Sequence, residues 1–301
     1  MNNKRRLFST VLCVAALTAG LFVSGCGSDK AGGIGSVVSS VVDGGDEKAA
    51  AKLNTLIDAT NRFNSDNASF AQFQAEGLAK LKGGFAEGAI TNQPHFDRLQ
   101  ADLEKAKKEG STFKEVDAER DNVLNILNEL VPVYKDLTAY DDSKAYMNDG
   151  GAKGKELAAK YVAVVEKFDA AYAKFNETLN KVNAEQSKKQ IEKLKKDGKK
   201  GYAAAMESTL RLTELVDKLE KAPQNADKAA VEKELSEIEA LLKSINNDRG
   251  QVLADRYNSV VGDVRQVLAD PSDNNLNNMI EGFNGYIDTY NSTTPDQFDA
   301  K

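Results

Sequence analysis

The chain has no tryptophan, one histidine, two cysteines and five prolines in 301 residues. Histidine and cysteine most often carry proton transfer near neutral pH, nucleophilic attack and transition-metal ligation, so their scarcity argues against those chemistries. The one histidine, His95 in Gln93-Pro94-His95-Phe96-Asp97, has no Glu-x-x-His or His-x-x-x-His partner, which removes the usual di-iron and zinc ligand sets of helical bundles. It suits a solvent-facing first helical turn. A glycine-rich phosphate loop, a Gly-x-Ser-x-Gly elbow and a catalytic carboxylate pair are also missing. These absences point away from an enzyme and toward a chain with no cofactor and no metal.

The two cysteines have different surroundings. Lys4, Arg5 and Arg6 precede the apolar stretch Leu7 to Val23, with no acidic residue before Gly25, which is the order of an export signal. The stretch contains Ser9, Thr10 and Thr18 and is short for a bilayer span, so a retained transmembrane anchor is the weaker reading. Val23-Ser24-Gly25-Cys26 resembles the lipobox of bacterial lipoproteins. Cleavage is expected between Gly25 and Cys26, with lipid added to the Cys26 thiol. Residues 1–25, including Cys13, are then discarded, and residues 26–46 read as a Gly- and Ser-rich flexible tether. Gly27, where an aspartate often marks inner-membrane retention, favours the outer membrane facing the periplasm in a host that has one.

Removing Lys4, Arg5 and Arg6 moves the formal charge from −6 to −9, which argues against nucleic acid as a partner. The rest is helix composition, rich in Ala, Lys, Glu, Leu and Asn. From residue 47 onward apolar residues recur at three- and four-residue spacing with no strand alternation. The clearest seam is Leu157, Tyr161, Val164, Phe168, Tyr172, Phe175, Leu179 and Val182, which predicts one long helix to about Lys196, packed in coiled-coil style. Pro132 should kink the helix before it, and Asp149-Gly150-Gly151 should turn the chain. Asn225 is a plausible cap for the helix through Val231 and Leu235, and Ser272 or Asp273 for the last one. The fold class is therefore all-α, an elongated antiparallel bundle of long amphipathic helices over residues 47–292, as one bundle or a bent pair. Residues 293–301 are expected as a disordered tail.

Five aromatic-Asn pairs, Phe63-Asn64, Phe175-Asn176, Tyr257-Asn258, Phe283-Asn284 and Tyr290-Asn291, exceed chance. They suggest either amides lining a groove or, as the preferred account, core aromatics with an amide bonded at the seam edge. Together with Leu130-Val131-Pro132-Val133-Tyr134-Lys135-Asp136-Leu137, Tyr140-Asp141-Asp142-Ser143-Lys144-Ala145-Tyr146, Asp149 and Gly154-Lys155-Glu156-Leu157, they give the chain a resemblance over about residues 47–292. It resembles the bacterial domain-of-unknown-function family that includes the YiiG-type lipoproteins. That resemblance implies an all-helical extracytoplasmic lipoprotein and brings no known activity or catalytic residue.

Two polar clusters remain. Asp141, Asp142 and Asp149 beside Tyr140 and Tyr146 could offer oxygen ligands to Ca²⁺, but their spacing is not that of an EF-hand, and a polar helix-hairpin turn is the expected outcome. Lys188, Lys189, Lys193, Lys195, Lys196, Lys199 and Lys200 face only Glu192 and Asp197 within the same segment, a basic patch in an acidic chain. A solvated helix end explains it, and it is also the best candidate surface for an anionic partner. The functional expectation is a lipid-anchored, non-catalytic envelope protein that presents a helical surface to another envelope protein or a polymer. The alternative is a module that holds a small ligand or metal between helices.

Overall fold

The computed structural model describes residues 46–68, 71–91, 94–110 and 113–300. The expected signal peptide, Cys26 and all of the tether but Asp46 lie outside them. The described residues form α1 (Asp46–Ala68), α2 (Ala71–Lys82), α3 (Phe96–Lys108), α4 (Lys114–Asp142), α5 (Tyr146–Asp149), α6 (Ala152–Lys196), α7 (Lys200–Lys221), α8 (Lys228–Lys243), α9 (Asp248–Ala269), α10 (Asp273–Asn291) and α11 (Pro295–Asp299). A 3-10 turn, Pro223–Asn225, precedes α8, and the described residues contain no strand. The fold is all-α. The helices divide into two compact units, residues 52–182 and 183–301, with α6 contributing to each.

In the first unit, contact pairs fix the helix directions. Along α1, Arg62 pairs with Asp102 at 3.1 Å and Asp66 with Arg98 at 2.5 Å, so α3 runs opposite to α1. Lys107–Asp121 at 3.1 Å and Gln100–Asn128 at 2.6 Å reverse the direction again from α3 to α4. Glu119–Lys174 at 2.5 Å and Glu129–Lys167 at 3.9 Å do the same from α4 to α6. The result is an up-down-up-down four-helix bundle, the topology that short connections favour. Its centre is aromatic: Phe96 lies edge-on to Phe168 at 5.1 Å, and Phe63 to Tyr172 at 5.3 Å. The sequence seam of α6 supplies this face, with Tyr161, Phe168, Phe175 and Leu179 buried. α4 continues through Pro132, whose exposed position costs one backbone hydrogen bond without ending the helix.

The second unit is organised around α7. Burial on nearly all sides of a helix marks a central element, and α7 buries Tyr202, Ala203, Ala204, Ala205, Met206, Leu210, Leu212, Leu215, Val216 and Leu219. α8, α9, α10 and α11 pack against it. Buried hydroxyls here have partners: Tyr286 lies 3.2 Å from Ser208 Oγ and 3.1 Å from Thr209 Oγ1, and Tyr257 donates to the Leu235 carbonyl at 2.5 Å.

Two expectations need correction. Asn225 does not cap α8, because Pro223 starts a tight turn that absorbs it. Asp227, in extended conformation, instead accepts from the Ala229 and Ala230 amides at 2.9 and 3.2 Å. Residues 293–300 are not a disordered tail. Thr294 and Gln297 form a capping box with Pro295 in the first turn of α11, and Phe298 is buried between Tyr202 and Tyr290. Asn247, which caps α9 through its oxygen, donates with its nitrogen toward the carbonyls of Gln297, Phe298 and Ala300 at 3.2, 2.9 and 3.0 Å. The Asp299 carboxylate accepts from Gly201 N–H at 2.7 Å, and a Cβ at Gly201 would come within 2.1 Å of the Phe298 carbonyl oxygen. Glycine is required there by this close approach.

Candidate functional site

The lysine segment lies in the second unit, on the last turns of α6 and the start of α7. Its inner side is set by Ser187, Ile191 and Leu194, all buried. At 100° per residue, Lys188, Lys195 and Glu192 fall on one flank of that side, while Lys189, Lys193 and Lys196, at i, i+4 and i+7, fall opposite the core. The flanking lysines are engaged. Lys188 pairs with Glu214 at 2.9 Å, and Lys195 with Glu207 at 2.8 Å and Glu192 at 3.4 Å. The hydrogen bond it donates to Glu207 holds the Lys195 ammonium above its ordinary pKa. Lys199 sits 3.6 Å from Asp296 of α11, past the left-handed Gly198 (φ 78°) that closes α6.

The opposite stripe is different. Among the described residues, no carboxylate forms an ion pair with Lys189, Lys193, Lys196 or Lys200. Lys189, Lys196 and Lys200 are exposed and Lys193 is half-buried. The fold thus separates the seven predicted lysines into a surface set paired with carboxylates of α6, α7 and α11, and an outward set without ion pairs that keeps its charge for solvent or a partner.

The acidic hairpin resolves the other way. Asp149 accepts from the Tyr140 hydroxyl at 2.6 Å, from Gly151 N–H at 2.9 Å and from Lys153 N–H at 3.0 Å, so it caps the start of α6. The Tyr140 hydrogen bond and those amides hold its pKa below the ordinary carboxylate value. Asp141 accepts from Gly88 N–H at 2.9 Å, and Glu87 pushes the Tyr146 hydroxyl up to about 12. Phe85 fills the space between Tyr140 and Tyr146, and Gly154 lets it in: a Cβ there would meet Phe85 and Tyr140 at 2.6 Å. Asp142 is exposed. Asp149 and one oxygen of Asp141 thus serve backbone and tyrosine donors, the other Asp141 oxygen is enclosed without a donor, and the described residues contain no cluster of three or more His, Cys, Asp and Glu suited to a metal ion. The role of the loop around Phe85 was not readable from spacing, because its partners lie more than fifty residues away.

The aromatic-Asn pairs are dispersed over both units. Every aromatic member is buried. Asn64 accepts from the Tyr172 hydroxyl at 2.8 Å, Asn258 is exposed, and the oxygens of Asn176 and Asn284 are enclosed without a hydrogen-bond donor. Packing at the seam edge describes them better than a continuous groove. His95 is exposed ahead of α3 and makes no side-chain cap. It borders a small cleft with Phe63, Asp66, Arg98, Leu99 and Asp102, whose charges are already matched by the Arg98–Asp66 and Arg62–Asp102 pairs. Among the described residues no helix is long and apolar enough to cross a membrane.

Two helical units, one closed by a polar hairpin and one carrying an outward lysine stripe, define an all-α protein. Residues 47–252 match the family described as Protein of unknown function (DUF3829), and the chain belongs to that family. No curated protein and no solved structure matches it. The family match starts where the sequence resemblance does and ends inside α9, while the packing of the second unit continues through α11.

Proposed function

We propose that the chain is a lipid-anchored, non-catalytic interaction protein of a bacterial envelope, and that within its family it stands with the YiiG-type lipoproteins. The anchor reading is supported by Val23-Ser24-Gly25-Cys26 after a basic and apolar leader. The functional reading is carried by one structural observation, the outward stripe of Lys189, Lys193 and Lys196 with Lys200 beside it, unpaired in a chain of net negative charge. An unpaired like-charge stripe repels itself and contributes nothing to packing, so its use is toward an anionic partner.

Two experiments test the parts separately. Palmitate labelling of cells and fractionation should find the wild-type chain labelled and in the membrane pellet, with Cys26→Ser unlabelled and in the soluble fraction; an unlabelled wild-type chain sinks the anchor. Photocrosslinking in cells from a probe at Gln190 should give adducts, to lipid, polymer or protein, that disappear when Lys189, Lys193, Lys196 and Lys200 are changed to Gln. Adducts that survive the change sink the lysine surface as the contact.

A second reading, a small ligand or metal held between helices, is favoured by the enclosed oxygens of Asn176 and Asn180 on α6, which have no donor. Thermal unfolding with metals, sugars and peptides tests it, since a ligand of the folded state raises its stability. No shift in any class removes this reading.

A further inference from the structure

We infer that the lysine stripe docks on anionic phospholipid headgroups of the bilayer that holds the chain, an inference that rests on the lipid-anchor reading above. The composition of the patch selects this partner. The segment 185–200 contains no arginine and no aromatic residue, so lysine is the one cation its outward face offers a partner, with Glu185 exposed one turn before Lys189. Interfaces between proteins are enriched in Tyr, Trp, Met and Arg and depleted in Lys, and their energetic centres are aromatic or arginine anchors seated in pockets. Arginine is also the residue that grips a single phosphate or carboxylate in a two-pronged bond, whereas lysine is a hydrated point charge on a flexible stem. A stripe of lysines alone therefore suits a surface of many mobile negative charges rather than one fixed anion.

Geometry agrees. Lys189 and Lys196 lie on the ridge of α6 directly opposite Ser187, Ile191 and Leu194, with half-buried Lys193 to one side, over about 10 Å of helix. A convex ridge can lie along a flat bilayer, where it could not enclose a small anion. The neighbouring lysines that could have joined it, Lys188, Lys195 and Lys199, are already committed to Glu214, Glu207 and Asp296. Burial of Ser187, Ile191 and Leu194 sets the rotation of α6 in the second unit and hence the direction in which the stripe points. The formal charge of −9 after removal of the leader makes the rest of the chain a poor surface for anionic lipid, so contact is confined to this ridge. An acyl anchor supplies the encounter, and the lysines then need only orient the body rather than recruit it.

The test uses the full processed chain reconstituted into vesicles of phosphatidylcholine, or phosphatidylcholine with about 30 % phosphatidylglycerol, a content that gives a surface potential lysines respond to. Each lysine's reaction with a water-soluble amine reagent is followed by mass spectrometry. Lys228 and Lys135, exposed elsewhere, serve as internal references. The expected result is protection of Lys189, Lys193, Lys196 and Lys200 by about threefold or more on the anionic vesicles only. It should be reversed by roughly 0.5 M salt, which shortens the reach of charge interactions to a few ångströms. Equal reactivity on both vesicles overturns the inference. So does protection found only in cell-derived membranes and lost after lipid extraction and reconstitution, which assigns the stripe to an envelope protein or polymer instead. Flotation of the chain with phosphatidylcholine vesicles is scored in the same samples, so a failed anchor is seen as failure to float and is distinct from failed docking.

Discussion

At the scale of single residues, the chain shows how a polar side chain in a helical core is decided by what it can bond. Tyr286 finds Ser208 and Thr209, and Tyr257 finds a carbonyl, whereas one oxygen of Asp169 on α6 is enclosed with no donor. Burial pushes the Asp169 carboxyl up to about 7, with Glu166 adding to the rise and Lys82 opposing it. Because the folded chain then holds a proton that the unfolded chain releases near pH 4, this group favours the fold below about pH 4 and its contribution is lost as pH rises toward 7. Asp169→Asn should raise the melting temperature at pH 8, leave it little changed at pH 4, and flatten the slope between, as scanning calorimetry at several pH values would measure. Phe298 gives a second residue-scale expectation. Phe298→Ala should destabilise by about 3–5 kcal/mol in denaturant unfolding, the range for removing a buried aromatic ring.

At the scale of elements, helix ends decide more than helix interiors. α8 starts at Asp227 rather than Asn225, because the 3-10 turn at Pro223 consumes the two residues after it. Asp227→Ala should cost about 1 kcal/mol and Asn225→Ala close to nothing, a contrast that urea midpoints resolve. α11 is five residues long and has little stability of its own. It is held by Asn247, Gly201 and the Phe298 pocket, so Gly201→Ala should weaken the second unit by forcing the Phe298 carbonyl away. A lowered urea midpoint relative to wild type measures that loss. The signals for α11 were present in the sequence as Thr294-Pro295-x-Gln297 and an isolated phenylalanine, but a five-residue helix carries too little periodicity to be separated from a frayed end.

At the scale of the whole molecule, two units with separate cores share one helix. The first unit carries ion pairs across α1, α3, α4 and α6, and in the second the stripe of Lys189, Lys193, Lys196 and Lys200 has no carboxylate partner among the described residues. If those four are changed to Gln, the melting temperature should stay within about 2 °C of wild type, because exposed unpaired charges contribute little to stability. A larger fall in a thermal melt would mean that the stripe is part of the packing.

What the sequence determined by itself is set by period and chemistry along the chain. The seam Leu157 to Val182 settled the helix and its buried face, the Gly150-Gly151 turn set where α6 could begin, and the seven lysines are visible as a string of letters. What only the tertiary structure decided depends on residues far apart in sequence arriving together. Where the Asp141 and Asp149 carboxylates find donors was settled by Gly88 and Tyr140. Which lysines are free was settled by Glu214, Glu207 and Asp296. Whether the last residues are a tail or a wedge was settled by Asn247 and Tyr202. Local pattern specifies which face of a helix is buried, but the partner that meets a given polar group is chosen by packing, and a charge or amide takes its meaning from that partner.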